Sequence, residues 1–321
     1  MAICVYGTVF NNVNTIEDSV KSVWRPDYNI VIVDNYSTDG TWEKLQELKK
    51  EYNLTLLRLK SSRGKGRAYA LEHCPENSIT IYFDLDVEYN ENFHKVLDYV
   101  SSDKIYAGFS SAPYFLVSKK DRIIGYGNWY DLNHDEDVEL ISRIGFDIYI
   151  PAIVSRNLRH DSTIDRELHY GKLRMVKVAI DSIRSRGMYF HDLLKIYKDY
   201  SLYFKLGMIG LYPIARIKGI YRYNSSLNNA LYILLNAANK VVDLKEIGIS
   251  YDYFVMSVPN WSVYYKSFLS EFEEKVRSKF PGIKKFKCTD GSTKYVLNEE
   301  AIFNASISID PKMKCEEVNT D

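Results

Sequence analysis

The chain has 321 residues, and its contents of 46% hydrophobic and 26% charged residues are ordinary for a soluble globular protein. Lys and Arg together number 42, as do Asp and Glu, so the net charge of zero gives no electrostatic case for a nucleic-acid partner. This length fits one large domain, or a core domain with an appended segment.

Strand-like and helix-like patterns alternate over the first ninety residues. The predicted strands are 2–9, 29–34, 54–59 and 79–83, and the predicted helices between them are 15–24, 37–52 and 66–73. Units of this length predict an α/β fold in which a mostly parallel sheet is flanked by helices on both faces. In such sheets ligands bind beyond the carboxyl ends of the strands.

The four predicted strand ends carry polar, glycine-rich or acidic residues. In chain order these segments are Thr8-Val9-Phe10-Asn11, the stretch that starts at Asp34, the basic turn 62–67, and Asp84-Leu85-Asp86. Because parallel strands end at one edge of the sheet, the four segments together predict a nucleotide site.

Asp84 and Asp86 follow a strand and are separated by one residue. In extended backbone, residues i and i+2 point to the same side, so both carboxylates can face one point. Carboxylate oxygens suit Mg²⁺ or Mn²⁺, and either ion is the cofactor that we expect. The alternative interpretation is a strand that is followed by a solvated acidic turn.

These segments together resemble the family 2 glycosyltransferases, which have a GT-A (Rossmann-like) fold. The matching segments are Thr8-Val9-Phe10-Asn11, 34–41, Asp84-Leu85-Asp86 and 135–143. Phe10 stands where the family usually has tyrosine, and the resemblance covers about residues 1–165. Arg63-Gly64-Lys65-Gly66 is similar to the polyprenyl-phosphate mannose synthases of the same family. This similarity keeps a GDP-sugar donor as the alternative, and a UDP-sugar donor is favoured.

The resemblance implies a role for each group around the donor. Asp86 is expected as the direct metal ligand, and Asp84 as a second ligand that also reaches ribose or water. Asp34 is carried over as the contact to the base, with Thr8 and Phe10 beside it. The remaining donor-binding candidates are basic and would add positive charge near the diphosphate; they are Lys65 and Arg67.

The family's acidic helix motif supplies the catalytic candidates. Asp137 is expected to accept the proton of the acceptor hydroxyl, with Glu136 as the second choice. The alternative is an acidic helix start that the helix dipole stabilises. His160 lies where some relatives place a third metal ligand, and a surface histidine is its alternative. Trp129 is either part of an aromatic platform for a sugar ring or a core residue.

The C-terminal half lies beyond the resemblance. We expect a catalytic domain over 1–200, with a nucleotide-sugar half (1–90) and an acceptor half (91–200), and a helical and mixed extension over 201–321. Residues 204–220 are apolar with isolated basic residues, which predicts either peripheral membrane contact or a helix packed on the core. Residues 283–309 alternate like strands, and the tail from residue 311 is expected to be disordered. A homo-oligomer contact is a further expectation for this half.

The cysteines and the N-terminus predict a cytoplasmic protein, with the inner face of the membrane as the alternative location. The cysteines are far apart and form no Cys-x-x-Cys pair; they are Cys4, Cys74, Cys288 and Cys315. This spacing argues against a zinc site or a disulfide framework and fits a reducing cytosol. The chain enters a strand pattern at once, so no signal peptide is expected. No uninterrupted apolar run reaches the length of about 18 residues that a membrane span needs.

These observations predict a metal-dependent inverting glycosyltransferase that acts on a hydroxyl of a glycan or a lipid-linked acceptor. Inversion comes only from the resemblance. An aspartate-nucleophile phosphatase also ends a strand in Asp-x-Asp, but there the motif follows the first strand and here it follows the fourth. A non-catalytic nucleotide- or glycan-binding module with the same fold is the remaining alternative.

Overall fold

The computed structural model describes residues 1–100, 115–158, 172–309 and 312–318. Its central sheet begins with four parallel strands: β1 (Ile3–Val9), β2 (Tyr28–Asp34), β3 (Leu54–Arg58) and β4 (Ile79–Tyr82). The next strands are β5 (Val87–Tyr89) and β6 (Val117–Lys119), and β6 joins the sheet antiparallel to β4. The sheet order is β3-β2-β1-β4-β6, so the predicted mostly parallel α/β fold is confirmed.

Helices connect these strands, and the first three lie where the apolar periodicity predicts them. They are α1 (Ile16–Val23), α2 (Thr41–Leu48), α3 (Arg63–Glu72), α4 (Glu91–Val100), α5 (Lys120–Gly125) and α6 (Glu136–Ile144). Helix α1 buries Ile16, Val20 and Val23, which lie on one face at helical spacing. Helix α3 starts at Arg63, three residues before the predicted start, because the Ser62 side chain caps it by accepting the Lys65 amide.

The C-terminal half adds helices and a second sheet. After β7 (Ser155–Asn157), which pairs antiparallel with β5, come α7 (Lys172–Ser185), α8 (Phe190–Ile196), α9 (Leu202–Lys218), α10 (Asn229–Lys240), α11 (Lys266–Lys279) and α12 (Glu300–Ile309). Strands β8 (Met256–Val258), β9 (Lys284–Cys288), β10 (Thr293–Val296) and β11 (Cys315–Glu317) form an antiparallel sheet in the order β11-β9-β10-β8. The largest hydrophobic cluster runs from Ile3 to Tyr295, so the two halves share a core. The domain boundary at residue 200 stays a prediction.

Two local predictions for the C-terminus were wrong. The stretch predicted as strands over 283–309 contains the β9–β10 hairpin, but its last part is α12. Part of the tail that was expected to be disordered forms β11, because β9 offers a free edge with which it pairs. Both outcomes depend on contacts between distant segments, which local periodicity does not report.

The expectation about the cysteines was also wrong. Cys4 pairs with Cys74 across 70 residues, and Cys288 pairs with Cys315 across 27 residues. The first pair forms because β1 begins beside the residues that follow α3, and the second because β11 lies against β9. Cysteines that are far apart in the sequence are therefore paired by the fold. The cysteines no longer support the prediction of a reducing cytosol. Within the described part of the chain, no helix is long and apolar enough to cross a membrane.

Candidate active site

A cavity of about 250 Å³ opens at the carboxyl ends of β1, β2 and β4. Its position follows the rule for parallel sheets. The residues that line it are Thr8, Val9, Phe10, Asn12, Asn35, Ser61, Arg63, Asp84, Leu85, Asp86, Asn133 and Arg174. The cavity therefore brings together two acidic residues, two arginines and several amide or hydroxyl groups, which is a lining suited to a polar, charged ligand.

Thr8 and its neighbours form one wall of the cavity. The Thr8 hydroxyl donates a hydrogen bond to the Val33 carbonyl at 3.0 Å, which fixes the end of β1 against β2. Phe10 is half-buried, and the Arg174 guanidinium from α7 lies 6.0 Å from its ring centroid. An aromatic face and a cation thus meet at the end of β1, where a base could stack.

Asp34 lies at the end of β2 and is fully buried. Its carboxylate accepts the Ser37 amide at 3.2 Å and the Arg58 Nε at 2.9 Å. It does not line the cavity in this structure. The next residue, Asn35, does line it. The Asn35 side chain donates a hydrogen bond to the Ser61 carbonyl and accepts one from the Ser61 amide. Asp34 therefore organises the loop that presents Asn35.

Asp84 and Asp86 both line the cavity, although the extended backbone that was assumed for them is not observed. Strand β4 ends at Tyr82, and residues 85–86 form a turn that leads into β5. The backbone amide of Asp84 donates to the Tyr89 hydroxyl at 2.9 Å, which closes this turn. The turn, rather than strand alternation, places the two carboxylates on one cavity.

Arg67 joins the two acidic parts of the site. It is buried, and its guanidinium donates to Asp84 Oδ1 at 2.6 Å and to Glu136 Oε1 at 2.7 Å. It also lies over the Tyr82 ring, 4.2 Å from the centroid. Although burial opposes ionisation, the charges of Asp84 and Glu136 raise the pKa of Arg67 above its ordinary value. Arg67 is therefore a permanently charged bridge and does not line the cavity.

Glu136 and Asp137 stand at the start of α6. Glu136 is buried and bonds to Arg67, with Arg63 at 3.6 Å from the same oxygen. Asp137 is partly exposed; it accepts the Val138 amide at 2.8 Å and the Tyr82 hydroxyl at 3.3 Å. Burial and the Glu136 charge raise the pKa of Asp137 to about 7, against the opposing charge of Arg67. This value suits a group that accepts a proton near neutral pH.

The glycines of the basic segment serve packing. A side chain at Gly64 would come within 2.1 Å of the Tyr130 carbonyl oxygen, and one at Gly66 within 2.5 Å of Thr8 Oγ1. Their amides already donate to Leu132 and Ser62. Both amides are therefore engaged within the fold. The Lys65 side chain is exposed and does not line the cavity.

A divalent cation fits the residues of the cavity. Among the residues that the structure describes, no group of three or more His, Cys, Asp or Glu side chains converges on one point. Asp84 and Asp86 nevertheless supply two carboxylates, and Mg²⁺ is often held by one or two carboxylates together with substrate phosphates and water. His160, the expected third ligand, lies outside the described residues.

Residues 4–159 match the family model for glycosyl transferase family 2. Over these residues, just under half of the chain, the sequence is similar to that family. The match confirms the resemblance and the expected class of enzyme, a glycosyltransferase. No curated protein sequence matches the chain.

Several solved structures are similar to the chain at low sequence identity. TarS from S. aureus has a TM-score of 0.46 at 11% identity, over 86% of this chain and 54% of TarS, so the chain spans about half of that protein. TarS 1-349 in complex with UDP-GlcNAc has a TM-score of 0.46 at 13% identity, over 93% and 97% of the two chains. The mannosyltransferase PcManGT from Pyrobaculum calidifontis, in complex with GDP-Man and Mn²⁺, has a TM-score of 0.45 at 14% identity, over 87% and 88%.

The cavity also contains residues that were not identified from the sequence. Arg174 lies outside the matched segment, on α7, and it reaches the cavity only through the tertiary fold. Asn133 lines the cavity because Asp181 of α7 accepts hydrogen bonds from its backbone and side-chain nitrogens at 3.0 and 3.1 Å. In the sequence, only the basic composition of α7 pointed to a cavity residue there. Trp129, by contrast, is a core residue, buried with its Nε1 donating to the Tyr6 hydroxyl.

Proposed function

We propose that the chain is a metal-dependent, inverting glycosyltransferase that moves a sugar from a nucleotide-diphosphate donor to a hydroxyl acceptor. The observation that carries the proposal is the meeting of Asp84 and Asp86 with Arg63 and Arg174 on one cavity at the carboxyl edge of the sheet. Two carboxylates suit a cation, and two arginines suit phosphate oxygens. A UDP-sugar is the favoured donor and a GDP-sugar the alternative, as the family motifs imply.

The donor would lie along the cavity with its base near Phe10 and its diphosphate near the acidic turn. Thr8 and Asn35 offer hydrogen-bonding groups on the base side. Recognition of the base by Asp34, as the family implies, requires its carboxylate to exchange the Ser37 amide for the base. Lys65 is exposed at the start of α3, where its flexible side chain can approach the phosphates from solvent.

The cation would be Mn²⁺ or Mg²⁺, held by Asp86 and Asp84, with His160 as the proposed third ligand. When bound, such an ion offsets the negative charge that gathers on the diphosphate leaving group. Arg67 holds the Asp84 carboxylate in place through the 2.6 Å bond to Oδ1, so the acidic turn is oriented before the ion arrives.

Asp137 would act as the general base. The acceptor hydroxyl oxygen bonds to the anomeric carbon, the bond from that carbon to the diphosphate oxygen breaks, and the hydroxyl proton passes to the Asp137 carboxylate. The Val138 amide and Tyr82 hydroxyl hold this carboxylate in place. Glu136 is already engaged by Arg67, which makes it the positioning partner and leaves Asp137 as the better base.

A thermal-shift panel tests the proposal. UDP-, GDP- and dTDP-sugars are added with and without Mn²⁺, and one nucleotide is expected to raise the melting temperature only when Mn²⁺ is present. A ligand at about 100 times its dissociation constant adds about 2.7 kcal/mol to the free energy of unfolding. Asp86→Ala is expected to abolish the Mn²⁺-dependent shift, whereas Glu51→Ala, at an exposed carboxylate outside the cavity, is expected to keep it.

Release of the nucleoside diphosphate then separates an enzyme from a binding module. An enzyme is expected to release it from the identified donor, slowly to water and faster with an acceptor. A metal-dependent shift without any release would favour the non-catalytic module. If no donor shifts the melting temperature, or if the shift survives Asp86→Ala, the proposal is wrong.

A further inference from the structure

Within the part of the chain that the structure describes, helix α9 buries one face. Its buried residues are Met208, Tyr212 and Ala215, which join a hydrophobic cluster with residues of α7 and α8. These positions recur at spacings of four and three, as expected for one side of a helix. This side of α9 therefore packs on neighbouring helices, in a cluster that is separate from the largest hydrophobic cluster, and the other side is left to be explained.

The opposite side of α9 carries an exposed apolar stripe, which consists of Tyr203, Leu206, Pro213, Ile214 and Ile217. Tyr203 is 88% exposed, Leu206 56%, Ile214 43% and Ile217 87%. At about 100° per residue, these positions fall within roughly a third of the helix circumference. Large side chains that are scattered singly on a surface need no explanation, but an ordered row along one helix indicates an interaction surface.

The charges beside the apolar stripe all have one sign. Helix α9 contains Lys205, Arg216 and Lys218, and no Asp or Glu between residues 202 and 218. Helical geometry places Lys205 and Arg216 along one border of the stripe and Lys218 along the other. Lys205 is half-buried, whereas Arg216 and Lys218 are exposed. Apolar side chains between basic borders are typical of helices that lie in the headgroup region of a membrane.

We propose that the apolar stripe of α9 docks on the surface of an anionic lipid bilayer. The aliphatic and tyrosine side chains would enter the headgroup boundary, and the three basic residues would face lipid phosphates. A second copy of the chain is a poorer occupant. Two apolar stripes placed face to face would bring basic borders together with no acidic residue of α9 to offset them.

The location of α9 connects this surface with the cavity. Helix α7 packs against α9, and the same α7 supplies Arg174 to the cavity lining. The docked surface and the donor cavity are therefore separated by one helix layer. This arrangement favours an acceptor whose hydroxyl is presented at the membrane. The docking itself does not rest on the proposed transferase chemistry, because no donor is needed for it.

Vesicle co-sedimentation of the full chain, without donor, tests the docking. Vesicles of phosphatidylcholine alone are compared with equimolar phosphatidylcholine and phosphatidylglycerol. We expect binding to the anionic vesicles that weakens as salt is raised. The double variant L206D/I217D is expected to lose at least about tenfold in binding. V263D/F303D is the matched control, because its positions are 50% and 59% exposed and it adds the same charge elsewhere.

A second variant distinguishes a loss of docking from a loss of folding. K205E/R216E keeps the apolar stripe and reverses one basic border, and it is also expected to lose anionic binding while its melting temperature stays within a few degrees of the original. Equal binding to neutral and anionic vesicles overturns the proposal. The proposal is also wrong if the original protein does not bind vesicles and instead forms an oligomer, seen by analytical ultracentrifugation, that the L206D/I217D variant no longer forms.

Discussion

Arg67 shows how one residue can decide the arrangement of a whole site. It bonds to Asp84 in the turn after β4 and to Glu136 at the start of α6, although these residues are 17 and 69 positions away in the sequence. A buried charge needs a paired partner, and Arg67 and Glu136 form such a pair in the protein interior. From the sequence, Arg67 was expected to add positive charge near a donor diphosphate. In the structure Arg67 is buried beneath the cavity, and the arginines that line the cavity are Arg63 and Arg174.

The raised pKa of Asp137 leads to a prediction about activity. Because only the ionised carboxylate accepts a proton, kcat/KM is expected to rise with pH through about 7, the pKa of Asp137. Asp137→Asn is expected to lower kcat by about 10²- to 10⁴-fold and to leave donor binding intact. Steady-state kinetics across pH, with Asp27→Asn at an exposed carboxylate as control, checks this. A flat pH profile, or a fully active Asn variant, would contradict the role of Asp137.

The same pKa also determines how stability depends on pH. The folded state keeps the Asp137 proton up to about pH 7, whereas the unfolded chain loses it near the ordinary value of 3.8. The unfolded state therefore binds fewer protons between these values, and the contribution of Asp137 to stability falls as pH rises through this window. Asp137→Asn is accordingly expected to be more stable than the original protein at pH 8 and no more stable at pH 4, as measured by denaturant unfolding.

At the scale of elements, the first turn of α3 is the most tightly packed part of the site. Gly64 donates its amide to the Leu132 carbonyl, and Gly66 lies against Thr8 at the end of β1. This contact positions Arg63 at the cavity and Arg67 beneath it. Close backbone approach explains the two glycines, because any side chain there would separate α3 from the segment before α6.

Gly64→Ala is expected to reduce the free energy of unfolding by about 1–3 kcal/mol through overpacking. The added methyl group would lie 2.1 Å from a backbone oxygen, which cannot move aside as a flexible side chain can. Gly207→Ala is the matched control, since none of the described atoms lies within 4 Å of its added methyl group. It is expected to stabilise α9 by about 0.5–1 kcal/mol. Equal effects of the two changes in chemical denaturation would contradict the packing role of Gly64.

At the scale of the whole molecule, the two disulfides cross-link separate parts of the fold. The pair Cys4–Cys74 links β1 of the central sheet to the segment that follows α3. The pair Cys288–Cys315 links β9 to β11 in the second sheet. Both join segments that the fold has already brought together. Their contribution is therefore expected mainly through the unfolded chain, whose freedom they restrict.

Loss of the longer disulfide is expected to be costly. For a separation of 70 residues the loop-entropy relation gives about 4 kcal/mol, so Cys74→Ser is expected to lower the melting temperature by several degrees. A reducing agent should lower the melting temperature of the original protein in the same direction and have less effect on the variant. Thiol labelling of the unreduced, unfolded protein is expected to find no reactive cysteine. Labelling of all four cysteines would contradict the two pairs.

The sequence by itself determined the elements of the first half and the edge of the sheet at which the site lies. Local periodicity suffices there, because each strand and helix buries one pattern of apolar residues, and parallel strands must end at the same edge. Thr8, Phe10, Asp84 and Asp86 were identified for this reason, and all four line the cavity.

Only the tertiary structure decided the contacts between distant segments. It buried Asp34 and Arg67, brought Arg174 to the cavity, paired the cysteines and left one side of α9 exposed. None of these follows from local spacing, because burial and pairing depend on which elements pack together. Periodicity shows that a residue lies on a face of a helix or strand, whereas the packed fold determines what that face meets.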